Sequence, residues 1–263
     1  MNIHKHTALI TGASGGIGYE LAKLFAADGH NLVLVARSAG KLNDLAAELT
    51  RAHSVAVTVL PADLSDPAAP AEIFAQLQAQ GLTIDFLVNN AGFGATGLFA
   101  QADLTEQLQM MQLNMVSLTH LTHLLLPGML ERGFGRVLNV GSTGSFAPGP
   151  LMAVYCATKA YVLSFSEAIS EEVRGAGVTV TALCPGVTRT GFQERAQVGN
   201  MRLLQGPAMS AEQVARIGYQ AMQRGQAVKV TGLVNQLMVF SLRFTPRWLA
   251  RRVARAMMEQ AEG

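Results

Sequence analysis

An α/β fold, with one parallel sheet covered by helices on both faces, is what the sequence predicts. Strand-like apolar runs alternate with helix-like stretches from residue 7 to residue 190. A glycine-rich turn stands between the first such run and the first helix. The third observation is compositional. Of the 263 residues, 49% are hydrophobic and 14% charged, which supplies a large core at a length that suits a single domain over residues 1–263.

Residues 7–10 read as a buried strand feeding Thr11-Gly12-Ala13-Ser14-Gly15-Gly16-Ile17-Gly18, after which Leu21, Leu24 and Phe25 recur at helical spacing. Strand, glycine turn and helix in that order build a phosphate-binding unit. Glycines let the backbone approach a pyrophosphate, and the helix N-terminus offers N–H donors and a favourable dipole. The spacing is Gly-x-x-x-Gly-x-Gly, not the commoner Gly-x-Gly-x-x-Gly. An ordinary glycine-rich turn is the alternative, and the flanking strand and helix favour the dinucleotide. Residues 31–36 form the second strand. A carboxylate at its end would hold the ribose 2′-hydroxyl of NAD, whereas an arginine accommodates the 2′-phosphate of NADP. This chain has Ala36 then Arg37, with Lys41 nearby, so NADP(H) is the expected cofactor.

Residues 41–51 read as a helix and 55–60 as the third strand, followed by Asp63 and Leu64 where an adenine ring would lie. A helix over 67–80 leads to a fourth strand at 84–88 and then to Asn89-Asn90-Ala91-Gly92. Small and amide-bearing residues there suit the crevice of an open α/β sheet. Residues 104–130 carry apolar side chains at helical spacing, with a break expected at Pro127. Asn114 lies within this stretch, where an amide is usually a satisfied core group. Strand five, 136–140, ends at Gly141-Ser142, and strand six, 178–183, runs into Pro185-Gly186-Val187-Thr188-Arg189-Thr190. Residues 228–230 read as the last strand.

Between strands five and six a helix carries Tyr155 and Lys159, four apart and so on one face. A free tyrosine titrates at about 10 and a lysine at about 10.4, so neither alone exchanges protons readily near neutrality. An ammonium held beside the phenol lowers the tyrosine's pKa. A Ser142 hydroxyl next to the pair would complete a proton-transfer site for a carbonyl or an alcohol.

The set Thr11-Gly12-x-x-x-Gly16-x-Gly18, Asn89-Asn90-Ala91-Gly92, Asn114, Ser142, Tyr155-x-x-x-Lys159 and Pro185-Gly186 resembles the short-chain dehydrogenase/reductase family over roughly residues 5–190. The resemblance implies a Rossmann-like, doubly wound parallel sheet of seven strands and a nicotinamide cofactor. It makes Tyr155 the general acid or base and Ser142 the group that orients the substrate oxygen. Lys159 would bind the nicotinamide ribose and lower the tyrosine's pKa, and Asn114 would place a water in the proton relay. Cofactor contacts would come from Gly12, Ser14, Gly15, Gly16, Ile17 and Gly18, and from Arg37, Asp63 and Leu64. Asn90, Ala91, Gly92, Pro185 and Gly186 would add to them, with Thr188 and Thr190 near the carboxamide. Many NADP-using members carry a basic residue where this chain has Gly15, so Arg37 would hold the 2′-phosphate largely alone. A homo-oligomer, dimer or tetramer, is implied through the helices near Asn114 and Tyr155.

The reaction expected is NADPH-dependent reduction of a ketone or aldehyde, or oxidation of the matching alcohol. A non-catalytic NADP-binding sensor or scaffold is the alternative, disfavoured by the complete set of proton-relay groups. A hydrophobic or bulky substrate is expected from Phe93, Leu98, Phe99, Phe146, Leu151 and Met152, with Phe192, Met201, Leu203, Leu204 and Met209 on a lid over 191–210. No metal is expected. A net charge of +2 without a basic run gives no reason to expect nucleic acid. Cys156 and Cys184 read as core thiols. The absence of a leader pattern or a long apolar window makes a soluble, cytoplasmic chain the expectation. In the C-terminal helical extension, 233–263, Thr245-Pro246 starts a helix with Arg247, Arg251 and Arg255 on one side and Trp248, Leu249, Val253 and Met257 on another. Packing of the apolar side on the domain is the preferred reading, and peripheral contact with a membrane surface the other.

Overall fold

The computed structural model describes residues 5–196, 201–202, 206 and 208–259. β1 (Thr7–Thr11) leads to α1 (Gly16–Ala27), β2 (Asn31–Ala36) to α2 (Ala39–His53), and β3 (Val57–Pro61) to α3 (Ala69–Ala79). β4 (Phe86–Asn89) is followed by α4 (Leu104–Met111), a π-helical turn (Gln112–Ser117) and α5 (Leu118–Glu131). β5 (Gly135–Val140) leads to α6 (Ala153–Glu172). β6 (Val178–Cys184) leads to the short β7 (Thr188–Arg189), α7 (Phe192–Arg195) and β8 (Met209–Ser210), and then to α8 (Ala211–Gln223). β9 (Val228–Val230), α9 (Leu233–Leu242) and α10 (Arg247–Met258) follow.

Seven strands form one parallel sheet in the order β3-β2-β1-β4-β5-β6-β9, while β7 and β8 pair apart from it. Side-chain alternation splits the core into two layers. In β2, Leu32 and Leu34 face a layer with Leu21 and Phe25 of α1, Leu45 of α2 and Val214 of α8. Val33 and Val35 face the other layer, with Ile73 of α3, Met110 of α4 and Leu121 of α5. Both faces are covered, so the strands read as continuous apolar runs. Each fully buried leucine or valine contributes about 1.5–3 kcal/mol. β1 lies between β2 and β4. The chain therefore departs in opposite directions on its two sides, and a crevice opens at the carboxyl ends of the strands.

Two local expectations are corrected. The third strand begins at Val57, not at residue 55, because α2 runs to His53 and Ser54 caps it in the left-handed conformation with φ 54°. Pro127 does not break its helix and sits inside α5. Pro127 and His123, whose carbonyl it leaves without a helical donor, are both exposed to water. The irregularity falls instead at the π-turn around Asn114.

Gly177, with φ +76°, precedes β6 so closely that an added Cβ would stand 1.9 Å from the carbonyl oxygen of Gly133. Both the positive φ and the opposing backbone exclude a larger residue. Gly177→Ala is expected to cost about 3 kcal/mol, read as a lower denaturation midpoint at unchanged m-value.

Candidate active site

The glycine turn is pressed against its neighbours. An added Cβ on Gly18 would lie 2.4 Å from the Gly12 carbonyl, and one on Gly12 would lie 2.8 Å from Asn90 Nδ2. Asn90 Nδ2 donates to the carbonyls of Thr11, at 2.9 Å, and Gly12, at 3.2 Å. The Asn90 N–H donates to the Thr11 hydroxyl, which ties β4 to the turn. Gly15, by contrast, faces open space and caps α1 with no side-chain hydrogen bond. Gly12, Ser14, Gly15, Gly16 and Ile17 line one end of a cleft of about 860 Å³, a size typical of ligand sites. Arg37, Ser38, Lys41, Asp63 and Leu64 line the same end. Arg37 Nη1 stands 3.8 Å from Asp63 Oδ2 with both side chains about half exposed, a pairing worth little by itself. A turn with no room for a side chain at Gly12, a helix N-terminus without a side-chain cap and two cations fit a dinucleotide bearing a 2′-phosphate. Ala36 supplies no carboxylate against it.

At the other end, a single 3₁₀ turn, Thr143–Ser145, follows β5 with Ser142 as its cap. Ser142 Oγ accepts from the Gly144 N–H at 3.0 Å. Ser145 Oγ accepts from the Ser142 N–H at 3.3 Å and donates to the Lys159 carbonyl at 2.8 Å, locking the turn to α6. Tyr155 lies beside Ser142, and the two share the wall of the cleft. Lys159 Nζ donates to the Val140 carbonyl at 2.8 Å and lies 5.9 Å from the centre of the Tyr155 ring.

Burial pushes Tyr155 up to about 12, while the neighbouring Ser142 side chain draws it the other way. Burial also pushes Lys159 down to about 8. The sequence led us to expect the ammonium to lower the tyrosine, and here the tyrosine is raised. Burial disfavours each charged form, and one of the three donors of the ammonium is taken by the Val140 carbonyl.

Asn114 is buried in the π-turn. Its Oδ1 accepts from the Phe93 N–H, and its Nδ2 donates to the Phe93 carbonyl and to Thr158 Oγ1. Thr158 Oγ1 in turn donates to the Tyr155 carbonyl at 2.7 Å. Asn114 thus fixes the backbone on either side of the cleft and acts as a positioning residue. It and Gly18 are the expected site residues that do not line the cleft. Asn90, Ala91 and Gly92 line it, as do Ser142, Tyr155 and Lys159, together with Pro185, Gly186, Thr188 and Thr190. Asn89 lies beneath the site, donating to Thr122 and Asn139.

The substrate end differs from expectation. Met152, Phe192 and Met201 line it, whereas Phe93, Leu98, Phe99, Phe146, Leu151 and Met209 do not. Leu203 and Leu204, and part of the expected lid, lie outside the described residues. The missing wall comes from α9 and α10, through Met238, Leu242, Leu249, Val253, Met257 and Met258. Met258 packs with Met152, Cys156, Phe192 and Tyr155. The spacing of Leu249, Val253 and Met257 was the available signal. Among the described residues no group of three or more His, Cys, Asp or Glu could hold a metal.

A family model described as short chain dehydrogenase matches residues 6–200. The very-long-chain 3-oxoacyl-CoA reductase of Anas platyrhynchos is 36% identical over 184 residues, 68% of this chain and 58% of that protein. The match therefore spans less than two thirds of that relative. A short-chain dehydrogenase from Sphingobium yanoikuyae in complex with NADPH superposes with a TM-score of 0.82 at 35% identity, covering 93% of this chain and 94% of that one. The bulky-bulky ketone specific alcohol dehydrogenase from Comamonas testosteroni gives 0.77 at 31% identity, covering 91% and 92%.

Proposed function

The chain belongs to the short-chain dehydrogenase family of oxidoreductases, and from that premise we propose that it uses NADP(H) to reduce the carbonyl of a bulky apolar substrate. The observation that carries this reading is the meeting of Ser142, Tyr155 and Lys159 on the wall of one cleft, closed by the methionine-rich side of α10. The relatives named for 3-oxoacyl-CoA and bulky ketones support the substrate class.

Gly12, Ser14, Gly15 and Gly16 would hold the pyrophosphate, Arg37 and Lys41 the 2′-phosphate, and Thr188 and Thr190 the carboxamide. When bound in its reduced form, the nicotinamide supplies hydride to the carbonyl carbon. Ser142 donates a hydrogen bond to the carbonyl oxygen as its charge grows. Tyr155 delivers the proton from its hydroxyl to that oxygen. Lys159, whose ammonium faces the same pocket, stabilises the phenolate left behind. Asn114 keeps the Tyr155 backbone in place through Thr158.

A spectrophotometric screen of NADPH oxidation over ketones, aldehydes and 3-oxoacyl compounds tests the proposal. Bulky apolar carbonyls are expected to turn over fastest. Binding of NADPH without turnover of any of them would favour a sensor or scaffold.

The pH profile carries a second test. Tyr155, at about 12, stays protonated through the working range. Lys159, at about 8, loses its charge as pH rises past that value. The kcat/KM for reduction at saturating cofactor is therefore expected to be level below pH 8 and to fall above it. Lys159→Arg, charged at every working pH, should move the fall to higher pH. A fall unmoved by that substitution would detach the limb from Lys159.

A further inference from the structure

The outer face of the C-terminal helices carries a run of large apolar side chains in water. Leu233, Leu237 and Phe240 share one stripe of α9, and with Phe244 and Trp248 they are 53–77% exposed. Phe240 and Phe244 pack edge to face at 5.4 Å, which makes a continuous apolar ridge. Such ridges mark interaction surfaces. Around it the charge is of one sign. Six of the chain's 20 Lys and Arg residues fall in 226–258, a stretch without a single Asp or Glu, although the whole chain carries only +2. Arg243, Arg247, Arg251 and Arg252 have no carboxylate partner among the described residues, and Arg255 alone is paired, with Glu259 at 2.8 Å. The Arg252 guanidinium lies 5.5 Å from the centre of the Trp248 ring, an aromatic–cation pairing suited to a water–lipid boundary.

We propose that this face of α9 and α10 docks the protein on an anionic lipid surface, with the apolar ridge in the acyl boundary and the arginines among the headgroups. Apolar side chains flanked by unpaired cations on short amphipathic helices are what interfacial binding requires. None of the described helices is long and apolar enough to cross a membrane, so the contact is peripheral. A second copy of the chain is a poorer occupant. A two-fold contact sets a patch against itself, and here that would bring like charges together with no acid to offset them. The inner sides of the same helices wall the cleft, so docking turns that wall toward the lipid. The docking does not depend on the reaction proposed above.

Flotation of the full chain with phosphatidylcholine vesicles, with and without phosphatidylglycerol, tests the proposal. Binding is expected with the anionic vesicles, falling roughly tenfold or more without the anionic lipid or at high salt. The double variant L237E/F244E and, separately, R251Q/R252Q should each lose binding. Retention of thermal midpoint and of NADPH affinity would show that they are folded, since none of these four side chains lines the cleft. Flotation equal among wild type and both variants overturns the proposal. So does a change in sedimentation coefficient on L237E/F244E with no lipid binding by the wild type, because a second copy then covers the face.

Discussion

Tyr155→Phe is expected to lower kcat for carbonyl reduction about 10²–10⁴-fold, the usual contribution of a positioned proton donor. At the level of the barrier this is about 3–5 kcal/mol. The substitution removes one oxygen and keeps the ring, so the contact with Phe192, centres 5.5 Å apart, survives. Ser142 keeps its hydrogen bond from the Gly144 N–H, and α6 keeps its anchor through Asn114 and Thr158. Both Ser142 and Tyr155 line the cleft, so removal of the phenol oxygen leaves no buried group unsatisfied and stability stays nearly level. The expected signature is lost turnover at unchanged thermal midpoint and unchanged NADPH affinity. Turnover within tenfold of wild type would take the phenol out of the reaction.

Arg37→Asp is expected to swing the ratio of kcat/KM for NADPH over NADH by about a hundredfold toward NADH. A charge-assisted hydrogen bond to a phosphate is worth about 1.5–3 kcal/mol, or roughly one to two decades. The new carboxylate would also stand near Asp63, which lies 3.8 Å from the Arg37 guanidinium, so a 2′-phosphate would meet two acids. A ribose 2′-hydroxyl, by contrast, gains an acceptor. Lys41 and Ser38 line the same end of the cleft, so some NADPH use should persist. A ratio unmoved by the substitution would place the 2′-phosphate elsewhere.

Much of this arrangement was legible in the chain because its signals are local. The runs around Leu9, Leu32, Leu87, Val137 and Val180 are buried on both sides, and that alone makes them read as parallel strands. The glycines at 12, 16 and 18 and the Tyr155–Lys159 pair declare themselves by spacing within one turn. What was not legible depends on distant parts of the chain meeting. Met257 and Met258 lie about a hundred residues beyond Tyr155 in sequence, and their spacing tells that α10 has an apolar side without telling what that side covers. Leu98 and Phe99 look like substrate contacts by composition, yet both are largely exposed. The raised pKa of Tyr155 and the lowered one of Lys159 follow from desolvation, a property of the assembled pocket that adjacency in a helix does not reveal.

The π-turn at Gln112–Ser117 has a consequence for the phase of the whole segment from α4 to α5. Each helical residue turns the chain by about 100°, and the wide turn absorbs one residue beyond regular winding. It thereby lets Met110 before it, Leu113 within it, and Leu121 and Leu125 after it press on the same layer. Losing any one residue between 112 and 117 would restore ordinary winding and swing one half away from the sheet, carrying the amide of Asn114 off Phe93. Side chains can be exchanged along this segment far more readily than its length can be changed.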